Sequence, residues 1–198
     1  IIKTYSGEGI LDKNLFLTPN GLDIDAYTFT DKPKYPDRSI CIGKIEDRKK
    51  QYFLQSIDSL WFAGNIADNR FNQNKNYLGE LPKTKIKTNL TDYGNLVLVS
   101  DGEVHPRVCT EALAAGLGVV VSECGIANLD LDKDFITVIP DTKINDIEYI
   151  EKHVIMNREY SINHRQEIRD YARKFDWPEI FDKFYFPSIK EVIDEKLS

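Results

Sequence analysis

Residues 95–121, NLVLVSDGEVHPRVCTEALAAGLGVVV, constrain the fold more tightly than any other stretch of this chain. The apolar run at 96–99 reads as a buried strand that enters an acidic turn, Ser100-Asp101-Gly102-Glu103. A helix of small residues follows, with Val108, Ala112 and Ala115 on one face and Cys109 and Leu113 beside them, so it packs closely on a sheet. The chain then passes Gly116 and Gly118 into a second apolar run at 119–121. Two carboxylates, Glu103 on the loop and Glu111 on the helix, are separated by seven residues. A strand–loop–helix–strand unit of this kind delivers its loop to the carboxyl edge of a parallel sheet, where open α/β folds bind ligands.

The rest of the chain repeats the alternation. Further strands are expected at 15–17, 39–42, 60–63, 77–79 and 135–139, with a helix over 47–56 that turns Phe53, Leu54 and Ile57 inward. Residues 30–38 read as a Pro-containing linker, 64–76 as an Asn- and Asp-rich loop, and 82–89 as a polar connection. From 145 onward the pattern is helical: 146–157, 161–175 with Ser161 as N-cap, and 178–196 with Pro178 at the first helical position. Strands alternating with helices predict an α/β fold, a Rossmann-like parallel sheet with helices on both faces, ending in a helical tail.

Composition removes several function classes. A formal net charge of -6 argues against a nucleic-acid partner held by bulk electrostatics. No apolar run approaches the roughly 20 residues that span a bilayer. The three cysteines, Cys41, Cys109 and Cys124, sit in apolar settings and suit free thiols in a cytoplasmic protein. No spacing of His, Cys and Asp suggests a metal site, and His153 and His164 read as structural. No strand is followed by Gly-x-Gly-x-x-Gly, which disfavours a dinucleotide oxidoreductase half. The chain opens on Ile1-Ile2, so its natural N-terminus is expected upstream.

A second constellation is Gly43-Lys44 followed by Lys49: a glycine at a strand end, a cation beside it and another at a helix start. Two cations at such a mouth suit a diphosphate, although Asp47–Lys50 (DRKK) reads equally well as a solvated helix start. Together these segments resemble the donor-binding half of the group 1 (family 4) retaining glycosyltransferases, which have the two-domain GT-B architecture. The resemblance rests on Glu103-x7-Glu111, on Ala112-Leu113-Ala114-Ala115-Gly116 before Val119-Val120-Val121, and on Gly43-Lys44-x4-Lys49. It continues in Asn20-Gly21-Leu22-Asp23, in Tyr77-Leu78-Gly79-Glu80-Leu81-Pro82, and in the closing Tyr171–Trp177 (YARKFDW). All occur in the family's order over about residues 15–190.

The resemblance implies a single nucleotide-sugar-binding domain over 1–198, with an α/β core at 15–175, a final helix at 176–198, and an N-terminal acceptor domain lying outside this chain. The implied reaction transfers a hexosyl group from a nucleoside-diphosphate sugar, UDP- or GDP-linked, to an acceptor hydroxyl on a glycan, lipid or protein, with retention. No cofactor or metal is implied, the setting is cytoplasmic glycan biosynthesis, and any membrane docking falls to the N-terminal domain. By the same resemblance Glu103 acts at the sugar, Glu111 holds the ribose, and Gly43, Lys44 and Lys49 steady the diphosphate. Gly79 and Leu81 lie beside the base, and the helix from Pro106 through Val108 presents its N–H groups to the phosphates. This domain by itself is expected to bind donor but to transfer little, because half a cleft neither excludes water nor orients an acceptor.

The residues alone leave other readings open. Glu111 also suits a helical pair with Arg107, and Glu103 suits simple turn polarity. Lys44 stands where the family has Arg, Lys50 where it has Gly, His105-Pro106 where it often has Phe-Gly, and Cys124–Asn128 (CGIAN) lacks its doubled glycine. His105 reads as a surface loop residue. The exchange of Arg for Lys and the missing glycines support a non-catalytic interaction domain of the same fold, and the two lysines do not distinguish transfer from a nucleotide-sugar epimerase half or a glycogen-type synthase of the same architecture.

Overall fold

The computed structural model describes residues 19–197; the strand expected at 15–17 lies outside the described residues. The chain divides into two compact units, Ile24–Arg173 and a smaller one drawn from both ends of the chain.

The larger unit is built on five parallel strands: β1 (Tyr35–Ile42), β2 (Leu60–Ala63), β3 (Tyr93–Leu98), β4 (Gly118–Ser122) and β5 (Ile136–Ile139). Their order across the sheet is β2-β1-β3-β4-β5. From β1 the chain moves one way to β2 and the other way to β3, so the sheet has its topological switch between β1 and β3. In an open parallel sheet that point leaves a crevice outside the carboxyl ends of the strands.

The strands are apolar because both faces are covered. All six residues of β3 and all five of β4 are buried. Cys41, Phe62, Val97, Val99, Val120 and Ile139 share a core with Ile150 and Val154 of the long helix α4 (Ile147–Asn163). Buried polar groups in this region pair with one another: Asn157 donates to the Phe135 carbonyl and the Thr137 hydroxyl (both 3.0 Å), and Asn95 donates to Asn157 (3.0 Å). The helix α3 (Arg107–Ala114) packs against β3, β4 and α5 (Arg165–Ala172) through Cys109, Ala112 and Leu113.

Several boundaries differ from the sequence reading. β1 starts at Tyr35, so the second half of the expected linker is strand. Its outer end tolerates Pro36 because pairing with β3 is irregular between Tyr35 and Ser39. The helix expected over 47–56 is broken: a 3-10 turn (Asp47–Lys49) gives way at Lys50 to the short helix α1 (Gln51–Leu54). Residues 83–89 form the helix α2 (Lys83–Asn89) where a polar connection was expected. The run KTKIKTN has little more than Ile86 for an apolar stripe, and no residue of the helix is buried. Segment 76–79 makes an isolated bridge at Tyr77 and lies along β2, donating from the Leu78 N–H to the Phe62 carbonyl (2.9 Å).

Ser161 is not an N-cap. It lies inside α4, where its hydroxyl donates to the Asn157 carbonyl one turn back (2.6 Å), and the helix breaks at His164 instead. Such a back-bond satisfies the hydroxyl without ending the helix. His153 and His164 each bond the carbonyl four residues earlier and stack on Tyr149 and Tyr160, a structural role as expected.

In the smaller unit the Asn20–Asp23 turn meets the closing motif. The Leu22 N–H donates to the Phe175 carbonyl (2.8 Å), and the Trp177 N–H donates back to the Leu22 carbonyl (3.1 Å). A side chain at Gly21 would overlap the Trp177 indole, which explains the glycine. Asp176 caps α6 (Trp177–Ile180), with Pro178 in its first turn, and a π-helical turn leads into α7 (Phe186–Leu197). Among the described residues, no helix is long and apolar enough to cross a membrane.

Candidate functional site

The β1 and β2 carboxyl ends meet at two glycines. The Gly43 N–H donates to the Ala63 carbonyl (3.0 Å), and a side chain at Gly64 would overlap the Gly43 carbonyl oxygen. A Cβ at Gly43 would come within 3.0 Å of Lys49 Nζ. Gly43 therefore leaves room for the Lys49 ammonium directly above the strand end.

Lys49 reaches across the switch point to the loop after β3. Its Nζ lies 3.6 Å from Glu103 Oε1, and both side chains are nearly nine-tenths buried. Its neighbours grip the same loop. The Arg48 guanidinium touches the Gly102 carbonyl and lies 3.0 Å from Glu103 Oε1, and the Asp101 N–H donates to the Arg48 carbonyl (2.8 Å). The Lys50 ammonium pairs with Asp101 (3.0 Å) and donates to Asn145 (3.2 Å). Arg48, Lys49 and Lys50 thus clamp the acidic SDGE turn, while Asp47 stays exposed and pairs with Arg70.

Lys50 shows how the clamp is held. It occupies the left-handed region (φ 51°, ψ 19°), a conformation that favours glycine. That backbone costs a non-glycine residue about 1–2 kcal/mol, and the contacts to Asp101 and Asn145 offset it.

The far side of the loop is also fixed. The Ser100 N–H donates to the Ser122 hydroxyl (3.0 Å), that hydroxyl donates to the Ser100 carbonyl (2.7 Å), and the Cys124 thiol donates to the same carbonyl (3.1 Å). Cys124 therefore helps to hold the β3–β4 edge through its side chain.

Two grooves open at this edge. One, of about 290 Å³, is lined by Gly43, Lys44, Gly64, Leu81 and Ile86. The other, wider and about 500 Å³, is lined by Arg48, Gly102, Glu103, Val104 and His105. Gly79 supports the first: its carbonyl accepts from the Gly64 N–H (3.0 Å). Lys44 stands at the rim, exposed and turned to Glu46 (3.6 Å). His105 is half-buried in the second groove, not simply on the surface; burial, then Arg107, pushes its pKa down and keeps it neutral near pH 7.

Val108 and Glu111 are half-buried on α3 and line neither groove. Among the described residues, no ion pair joins Glu111 to Arg107. Arg48 was missed in the sequence; its one signal was its place in a run of three cations facing an acidic turn.

The thiols beneath the site are inert. Burial pushes Cys41 up to about 12 and raises Cys109 further, while Cys124 is half-buried. Iodoacetamide at pH 8 should therefore label Cys124 first, with Cys41 and Cys109 reacting only on unfolding. Peptide mass mapping checks this, and early labelling of Cys109 would contradict the burial described.

No protein-family model and no curated protein sequence matches the chain. Solved structures do. Anabaena Alr3699/HepE in complex with UDP aligns with a TM-score of 0.72 at 14% identity, over 98% of this chain and 61% of that one. The apo lipopolysaccharide outer core galactosyltransferase WaaB aligns at 0.67 and 14%, over 99% and 60%. The fold is that of the C-terminal, Rossmann-like domain of GT-B glycosyltransferases. The C-terminal domain of a group 1 glycosyl transferase, LpcC from Francisella tularensis, aligns over its whole length and over 79% of this chain, with a TM-score of 0.62 at 14% identity. The chain spans about 60% of the length of WaaB and HepE.

Proposed function

We propose that this chain is the donor-binding domain of a retaining glycosyltransferase, taking a nucleoside-diphosphate hexose at the β1/β3 switch point. The observation that carries the reading is the meeting of Lys49 and Glu103 above Gly43, a buried cation and a carboxylate at the one sheet edge that favours ligands. The fold match to a protein crystallised with UDP-glucose supports it.

The diphosphate lies against Lys49, with the first turn of α3 offering N–H groups and the positive end of its dipole, and with Lys44 at the rim. Leaving-group charge grows on the diphosphate as the glycosidic bond breaks, and a fixed ammonium stabilises it without reorganisation. The base occupies the groove formed by Gly43, Gly64 and Leu81, beside Gly79. Glu111 accepts from the ribose hydroxyls, and Glu103 faces the sugar, where a carboxylate stabilises positive charge developing at the anomeric carbon. Val108 packs beside the phosphates. The acceptor, a glycan, lipid or protein hydroxyl, binds a further domain, and no metal or cofactor takes part.

Calorimetric titration with UDP, GDP, ADP and their sugar conjugates tests the reading. Saturable binding of one nucleotide series is the expected result. Absence of binding across the whole panel would instead make the chain an interaction domain that shares the fold.

A further inference from the structure

We infer that Arg48, and not Lys44, is the second cation of the diphosphate site; this rests on the donor-site reading above. The sequence resemblance puts that role on Lys44. Its side chain is 59% exposed and engages only Glu46 at the rim, whereas Arg48, 45% exposed, is also tied to the loop after β3 through Glu103 and the Gly102 carbonyl. Arg48 lines the wide groove together with Glu103. Its Nη1 lies 3.0 Å from Glu103 Oε1, the same oxygen that Lys49 Nζ approaches at 3.6 Å.

Arg48, Lys49 and the rim Lys44 face Glu103 and Glu46, three cations against two carboxylates, which leaves one net positive charge at that spot. A diphosphate carries more charge than the carboxylate and spreads it over several oxygens, so it competes well for both cations. Arg48 is also aimed. Glu46 holds its Nη2 at 2.8 Å, and its carbonyl accepts from the Asp101 N–H. Nη1 faces Glu103 and Nη2 faces Glu46, so a diphosphate that displaces Glu103 meets a planar guanidinium already oriented, which an ammonium on a flexible stem is not. The fork that Lys44 lacks is supplied four residues later.

Glu103 then has a second consequence. In the ligand-free site it offsets part of the charge of Arg48 and Lys49, and an arriving diphosphate releases it toward the sugar. Removing its charge should therefore strengthen phosphate binding, the opposite of what simple damage to the site would do.

The test uses inorganic pyrophosphate, which needs no base pocket, titrated by calorimetry into the full chain at low salt. Arg48→Ala should weaken binding at least about tenfold, with Arg48→Lys recovering part of the loss. Lys44→Ala should lose less than Arg48→Ala, and Glu103→Gln should bind severalfold more tightly than the unsubstituted chain. Unchanged melting temperatures identify folded variants. The inference is overturned if Lys44→Ala shows the larger loss, if Glu103→Gln weakens binding, or if the unsubstituted chain does not bind pyrophosphate. Should pyrophosphate bind as described while no nucleoside diphosphate binds more tightly, the donor-site reading fails and the Arg48 assignment stands.

Discussion

Replacing Arg165 with methionine should destabilise the protein by about 4 kcal/mol, lowering Tm by roughly 10 °C, the largest effect expected of any single change described here. Arg165 is 2% exposed. Its guanidinium donates to the carbonyls of Thr30 (2.7 Å), Thr91 (2.7 Å), Tyr93 (3.0 Å) and Ala115 (3.2 Å), and to the Thr91 hydroxyl (2.9 Å). None of these acceptors is a carboxylate, and burial pulls its pKa down to about 10 against weaker support from Asp31 and Asp92.

Methionine fills much of the same space but leaves those carbonyls without a donor, each at about 1–3 kcal/mol. Relief from burying a charge returns part of that. Arg165→Lys keeps the charge with a smaller reach and should fall between the two. The staple joins the start of β3 to the turn after α3, at the edge of the sheet opposite the grooves. Folded Arg165→Met should therefore keep its nucleotide affinity. Urea unfolding and calorimetry on one sample separate the two effects, and a loss under about 1 kcal/mol would contradict the role assigned to the staple.

The parallel sheet was legible because β3 and β4 are buried on both faces and so read as unbroken apolar runs, Leu96–Leu98 and Val119–Val121. Helix α2 was not legible, because a surface helix of Lys, Thr and Asn shows no apolar stripe. Ser161 misled for a related reason: an N-cap and a back-bonded interior serine share one sequence signature. At the site, Gly43 and Lys49 lie beside Glu103 because each follows or faces a strand end. The role of Arg48 and the left-handed Lys50 depend on which loop lies opposite, a long-range fact that local sequence does not carry.

The second large effect concerns Glu111. Its carboxylate is half-buried on α3, and among the described residues no side-chain hydrogen bond or ion pair holds it. Truncation to alanine therefore leaves no orphaned partner, keeps a strong helix former at the position, and should leave stability within about 0.5 kcal/mol. A ribose bound there offers two adjacent hydroxyls to one carboxylate, and hydrogen bonds to a charged group contribute about 1.5–3 kcal/mol. Glu111→Ala should thus weaken the preferred nucleoside diphosphate roughly 30-fold with the fold intact.

The most direct check on the donor site is a calorimetric cycle that pairs the unsubstituted chain and Glu111→Ala with the preferred nucleoside diphosphate and its 2′,3′-dideoxy form. The unsubstituted chain should lose roughly 30-fold on removal of the hydroxyls, while Glu111→Ala should bind both forms with nearly equal, weak affinity. Equal losses in both proteins would mean that the ribose does not rest on Glu111, and the donor orientation proposed for this sheet edge would be wrong.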